Sequence, residues 1–416
     1  MKKYIILASC INGMGGAQMY FRNKCLYLQT KGWDVSLLSA QEGRVLIDEL
    51  KQYNWFIPEF GFDYYLFSKK KREKIINQII NKLIKENYDE IIIESSCFSE
   101  CTWGEVLAKM IGARHLCFVL QEFNPVDSFT IRNFLIFKHK RHELAGIAPQ
   151  SLLQLFSSFY PITQQQSYYL LAHCRNVVAD IKSDILEGFD RGKYDYVIGC
   201  LSRLDKPFII PALVDFVKYA KHYADKRFLL LMIGGAPDGT GFKKNITNLI
   251  RSVKNVDLII TGFIYPIPIS LLEYCDAFFS SAGSAGVCMR SGVPTISYDG
   301  YDFKPIGIMG KTTGSTLMRK ENEPIQSLSR LLDQILFEKK YRKEPSTHEL
   351  SKPDFSPHDK FLSEMAYNKE YYNFDCIKRS GKETIMSFLL GVIGAKGYYK
   401  LGEWKRKILK KNTSDR

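Results

Sequence analysis

The stretch Tyr196-Val197-Ile198-Gly199-Cys200-Leu201-Ser202-Arg203-Leu204-Asp205-Lys206 decides how this chain is read. Its first six residues carry no charge and suit a strand buried on both faces. The run stops at a serine and two cations three residues apart, and a helical pattern follows over 209–224. A strand that ends in a polar turn and feeds a helix is the repeating unit of a parallel sheet. The unit recurs downstream. Predicted strands at 228–233, 256–260, 277–279 and 294–297 alternate with predicted helices at 242–253, 268–274 and 284–290. Together they make a doubly wound α/β domain.

Upstream the same rhythm runs from the first residues. Ile5-Ile6-Leu7-Ala8 is a short strand, Asn12-Gly13-Met14-Gly15-Gly16 a glycine turn, 17–31 a helix and 34–38 a second strand. An amphipathic helix at 71–87, strands at 91–93 and 115–120, and a helix at 104–111 follow. Residues 123–142 are aromatic and basic with no clear period, and residues 343–376 are polar and aromatic. The expected organisation is a domain over 1–190, a second over 191–376 and a basic amphipathic tail over 377–416. The first boundary is placed in Gly188-Phe189-Asp190-Arg191-Gly192. A chain of 416 residues is long enough for two cores.

The formal net charge is +14. Residues 377–416 hold eleven Lys/Arg against three acids, a net of +8, and the other 376 residues share the remaining +6. In the tail, Phe388, Leu389, Tyr398, Tyr399 and Trp404 are interleaved with those cations, which suits the surface of an anionic leaflet. The alternative is a helix over 386–395 packed on the domain, with only the last cations solvated. Nucleic acid is not an expected partner, because no binding motif accompanies the charge. Ten scattered cysteines form no CxxC pair and fit reduced thiols in a cytoplasmic protein. The apolar run near Met1 is about seven residues and lacks a small-x-small site, so it reads as a strand rather than a signal peptide.

Three loops carry candidate chemistry. Gly15 and Gly16 stand between a strand and a helix, where bare backbone can approach a ligand and N–H groups attract anions. A purely structural turn would leave the same sequence. Arg203, as a planar fork, and Lys206, as a point charge, can clamp phosphate oxygens at a sheet's carboxyl edge. Two solvated loop cations are the plainer alternative. Ser280-Ser281-Ala282-Gly283-Ser284-Ala285-Gly286 is a run of seven small residues before a helix and suits a diphosphate. A tightly packed loop would also use small residues. Gly310-Lys311-Thr312 is no P-loop, since Pro305 stands where the first glycine belongs. No HExxH motif or Ser-His-Asp order is present. His115 is expected to pack or hydrogen-bond, and His139 and His142 to lie at the surface.

Taken together, these pieces resemble a GT-B glycosyltransferase of the family 4 (glycosyl transferases group 1) type, over most of the chain to about residue 300. The opening Gly15-Gly16-Ala17-Gln18, with Lys31-Gly32-Trp33-Asp34-Val35, is similar to that family's start. So are Ile198–Leu204, Leu231-Met232-Ile233-Gly234-Gly235, Ile260-Thr261-Gly262-Phe263, Tyr274–Ser281 and Met289–Pro294, in the family's order. The resemblance implies two Rossmann-like domains facing a cleft, with donor bound mainly by the second. The expected function is transfer of a sugar from a nucleotide diphosphate donor to a cell-surface glycan or lipid-linked acceptor. A bacterial cytoplasmic enzyme of polysaccharide biosynthesis fits, peripheral on the inner face of the membrane, of hexosyltransferase type, with no metal and no cofactor beyond the nucleotide-sugar. Arg203, Lys206, Gly283, Ser284, Ala285, Gly286, Gly15 and Gly16 would hold the diphosphate, and Gly262 with Phe263 the base. Glu122 and Glu94, each just after a strand, are the candidate bases for an inverting reaction. The chain departs from the family at Val287, where a motif glutamate is expected, and the glutamate that opens the same motif is missing too. A non-catalytic GT-B partner of another transferase and a nucleotide-sugar epimerase are the alternatives.

Overall fold

A computed structural model describes residues 1–120, 126–236, 241–347, 353–366 and 370–414, with side chains to 402. The chain divides into two compact units. The first holds 1–13, 20–173 and 353–416, and the second 14–19 and 174–352.

In the first unit, β1 (Lys2–Ala8) leads through the glycine turn to α1 (Gly16–Thr30), whose first turn groups with the second unit. Then come β2 (Trp33–Ser39), β3 (Trp55–Phe56), α2 (Lys69–Leu83), β4 (Glu90–Ser95), α3 (Phe98–Ile111), β5 (Arg114–Val119), α4 (Phe129–Lys140), β6 (Leu144–Gly146) and α5 (Ser151–Phe156). The six strands are parallel, in the order β3-β2-β1-β4-β5-β6. Ile5, Ile6 and Leu7 are completely buried, as a strand covered on both faces requires. Ile75, Ile76 and Ile79 put one face of α2 into the core.

The second unit contains β7 (Val178–Ala179), β8 (Tyr196–Leu201), α6 (Ile209–His222), β9 (Phe228–Ile233), α7 (Phe242–Arg251), β10 (Val256–Ile260), β11 (Ile267–Pro268), α8 (Ile269–Glu273), β12 (Ala277–Ser280), α9 (Ala282–Arg290), β13 (Thr295–Tyr298), β14 (Pro305–Ile308) and α10 (Leu328–Leu336). Its sheet order is β10-β9-β8-β12-β13-β14, and the edge strand β14 is antiparallel. In each sheet the order of the strands therefore reverses beside the first strand: between β1 and β4, and between β8 and β12. That reversal opens a crevice at the strands' carboxyl ends, where doubly wound folds bind ligands.

The expected boundaries move. Besides residues 14–19, the second unit takes the run from 174 to 352, where the expected bounds are 191 and 376. From Pro353 the chain rejoins the first unit with α11 (Ser356–Glu364) and α12 (Gly381–Ser414). The aromatic residues that make 343–376 patternless drive this return: Phe355, Phe361 and Phe374 are all buried. Nor is 377–416 a free tail. Leu390 and Ala395 of α12 are buried in the first unit's core, and Glu383 accepts hydrogen bonds from Tyr65 (2.9 Å) and Ser128 (2.8 Å).

The basic stretch before residue 142 also corrects an expectation. His139 is buried, with Nε2 2.8 Å from the Gln166 carbonyl. Lys138 beside it is fully buried and donates to Glu105 (2.9 Å) and Glu143 (2.6 Å). His115 hydrogen-bonds with Glu105 (2.8 Å) and Ser95 (2.9 Å). Burial pushes the Glu105 carboxyl up, but Lys138 and His115 outweigh it and hold it at about 2. Among the described residues the ten cysteines are free thiols, and no helix is long and apolar enough to cross a membrane.

Candidate functional site

The crevice of the second unit is a cavity of about 300 Å³, and the sequence at its walls explains its chemistry. β8 ends at Leu201, and the chain turns through Ser202 and Arg203 because Gly234, at the end of β9, leaves room. A Cβ on Gly234 would stand 1.9 Å from the Ser202 carbonyl oxygen, and its φ of +148° is open only to glycine. Gly235 next to it lies under the ring of Phe263, which lines the cavity.

Arg203 is held in place by its neighbour Asp205. Nε donates to Oδ1 (3.0 Å) and Nη2 to Oδ2 (3.1 Å), a two-pronged grip that fixes the guanidinium plane. Nη1 is left on the side of Gly15, 3.5 Å from where a Cβ on that glycine would be. Lys206 lines the same cavity, and Gly15 and Gly16 form part of its wall.

Three helices start at this cavity. α1 begins at Gly16, α6 just past Phe208, and α9 at Ala282. No side chain caps α6 or α9; the Ile209 and Ala282 N–H groups donate to the Lys206 and Thr316 carbonyls, and the positive end of each helix still attracts an anion. Ser281, the residue before α9, instead donates its hydroxyl to the Tyr298 carbonyl (2.9 Å). Among the described residues no carboxylate lines the cavity. Arg203, Lys206 and three positive helix ends therefore border a space that no carboxylate of the described residues lines.

The expected donor residues divide at this point. Gly15, Gly16, Arg203, Lys206, Gly283, Ser284 and Phe263 line the cavity. Ala285 and Gly286 do not, because the α9 helix carries them past the opening, and Ala285 is completely buried. Gly262 lies just outside the lining and turns the chain with a φ of +75°. Val287 is completely buried among Leu201, Phe278 and Cys288, so that position faces the core rather than the ligand space. Sequence reasoning missed Asp205, although its spacing from Arg203 was visible. It also missed Asn176 and Phe303, which come from segments without a motif.

The candidate bases belong to the first unit. Glu122 lies outside the described residues. Glu94 is completely buried and accepts hydrogen bonds from Tyr4 (2.6 Å) and Tyr20 (2.5 Å). A base needs a path to its substrate; Glu94, walled in by two tyrosines, serves the core instead. The first unit's more unusual carboxyl is Glu100, in the first turn of α3. Burial pushes it up to about 7; Oε2 accepts from Ser99 (3.0 Å), while Oε1 has no partner among the described residues.

With this geometry in hand, comparison with solved structures is decisive for the fold. A glycosyltransferase from Rickettsia africae superposes with a TM-score of 0.53 at 17% identity, over 80% of this chain and 87% of that one. HepE of Anabaena, in complex with UDP and glucose, gives 0.54 at 12% identity, over 82% and 91%. The fold is GT-B. OtsA matches this GT-B chain at a TM-score of 0.51 and 11% identity, over 94% of it and 98% of OtsA. No protein-family model and no curated protein matches the sequence. The GT-B likeness thus rests on three-dimensional arrangement.

Proposed function

We propose that the chain is a glycosyltransferase that takes a sugar from a nucleoside diphosphate and passes it to a glycan or lipid-linked acceptor. One observation carries the reading: an anion cradle at the second sheet's reversal point, made of Arg203, Lys206 and three helix starts, with no carboxylate lining it among the described residues. In this reading the diphosphate lies against the starts of α9 and α1, with Arg203 Nη1 and Lys206 on its oxygens. Phe263, packed on Gly235, offers an aromatic face to the base. As the glycosidic bond breaks, negative charge grows on the departing diphosphate. Cations and helix ends already aimed there stabilise it without reorganising, and so lower the barrier. No metal ion is needed to offset the charge in this scheme. HepE's complex with UDP and glucose supports UDP as the first donor to try, and hexoses as the first sugars.

The same lining supports a second reading, a non-catalytic partner of another transferase, since among the described residues no carboxylate lines the cavity to hold the sugar. Titration with UDP, then UDP-glucose, followed by assay for released UDP, separates the two. Binding with slow donor hydrolysis supports the enzyme. Binding without turnover on any donor supports the partner protein. Failure to bind any nucleoside diphosphate sinks both.

A further inference from the structure

Helix α12 has two faces before its break at Gly394, where φ is 69° and ψ 171°. Leu390 points into the first unit's core, Met386 packs against it, and Ala395 is buried there just past the break. The opposite face is apolar too. Ile385 is 65% exposed, Phe388 71% and Val392 68%, with Leu389 beside them. The spacing i, i+3, i+4, i+7 puts these four on one stripe. An uncovered stripe of this kind on a folded unit marks an interaction surface.

The charges around the stripe say what covers it. Lys382 stands at its start, and Lys396 and Lys400 follow its end, all exposed. The one acid between 377 and 402 is Glu383, and it is turned inward to Tyr65 and Ser128. Just past the break, a cavity of about 590 Å³ is lined by Lys70, Lys71, Lys74 and Lys396, with Trp55 and Ile75 among its apolar walls. Lys71 pairs with Glu59 (3.0 Å), and Lys396 with Glu42. No ion pair among the described residues engages Lys70 or Lys74.

We infer that this face of the first unit docks on an anionic lipid bilayer. The α12 stripe enters the boundary between headgroups and acyl chains, and lipid phosphates sit in the lysine-lined cavity. Apolar insertion and cation–phosphate attraction together give stable peripheral binding where either alone is marginal. The inference extends the proposed lipid-linked acceptor: docking would bring the first unit to the surface that carries such an acceptor. A soluble acceptor would leave the docking face without that purpose, yet vesicle binding requires no nucleotide and is measured independently of donor binding.

The test is co-sedimentation of the full-length protein with vesicles of phosphatidylcholine alone or mixed with phosphatidylglycerol. Wild type is expected to bind the mixed vesicles and not the neutral ones. Phe388→Ser with Val392→Ser, and separately Lys70→Gln with Lys74→Gln, should each weaken binding by on the order of tenfold or more. Both pairs are solvent-facing, so thermal midpoint and UDP affinity should stay at wild-type values and report an intact fold. Wild type that ignores anionic vesicles overturns the inference. Variants that bind like wild type overturn it too, by moving the contact to residues 403–416. Light scattering without lipid supplies a further refutation: wild type running as a dimer and Phe388→Ser/Val392→Ser as a monomer would make the stripe a self-association face.

Discussion

Replacing Arg203 with alanine tests the donor site most directly. The guanidinium has five donors, and Asp205 occupies two of its nitrogens, Nε and Nη2. That leaves Nη1 beside Gly15, at the wall where the diphosphate is placed. Hydrogen bonds to a charged partner are worth about 1.5–3 kcal/mol each. Loss of one such bond weakens UDP binding by roughly 10- to 150-fold, at about 1.4 kcal/mol per decade. The Arg203–Asp205 pair is partly exposed, with side chains 42% and 20% accessible, so it adds at most about 1 kcal/mol to the fold. The variant should therefore keep its thermal midpoint while losing the ligand. Arg203→Lys keeps the charge and loses the fork, and is expected to fall between alanine and wild type. Asp205→Ala leaves the charge but frees the side chain, so a few-fold loss is expected. Isothermal titration with UDP, alongside thermal melts of the ligand-free proteins, measures both quantities. Arg203→Ala with wild-type UDP affinity would refute the clamp, and a large fall in its melting temperature would show that the residue serves the fold.

Glu100 predicts a pH dependence of stability. Its folded value is raised from 4.5 to about 7, so between those pH values the folded state holds a proton that the unfolded state has lost. Stability then falls as pH rises through this window, by an amount on the order of 3 kcal/mol for the full shift. Glu100→Gln should remove this fall, matching wild type near pH 4 and exceeding it at pH 8 in denaturant melts; parallel curves for the two proteins would contradict it. Lys138→Ala leaves Glu105 and Glu143 buried without their shared cation and should cost about 3–5 kcal/mol of stability, seen as a lowered urea midpoint. Gly234→Ala meets the Ser202 carbonyl and should displace the Arg203 loop, costing about 1–3 kcal/mol of strain and a larger share of UDP affinity. Unchanged titration of that variant would mean the loop tolerates the shift.

The two sheets were readable because their signals are local. Val197-Ile198, Leu229-Leu230-Leu231 and Phe278-Phe279 are buried on both faces, and such strands are apolar over every residue in a row. Helix α6 shows its inward face in Ile209, Ala212, Leu213 and Phe216 for the same reason. Helix α4 was obscured because Lys138 and His139 look like surface residues in any local window. Their partners, Glu105, Glu143 and the Gln166 carbonyl, come from other segments, and only those partners make burial tolerable.

The sequence alone therefore determined the alternation of strand and helix, the glycine and small-residue loops, and the cations Arg203 and Lys206. Each depends on a few consecutive residues and their backbone preferences. Tertiary structure decided which loops meet. The order β10-β9-β8-β12-β13-β14 sets the Arg203 loop beside the start of α9, although about 80 residues separate them along the chain. It also decided that Val287 points into the core, that the first turn of α1 joins the second unit, and that the basic end of the chain folds back on the first. Those outcomes follow from packing between distant segments, which no local pattern of residues encodes.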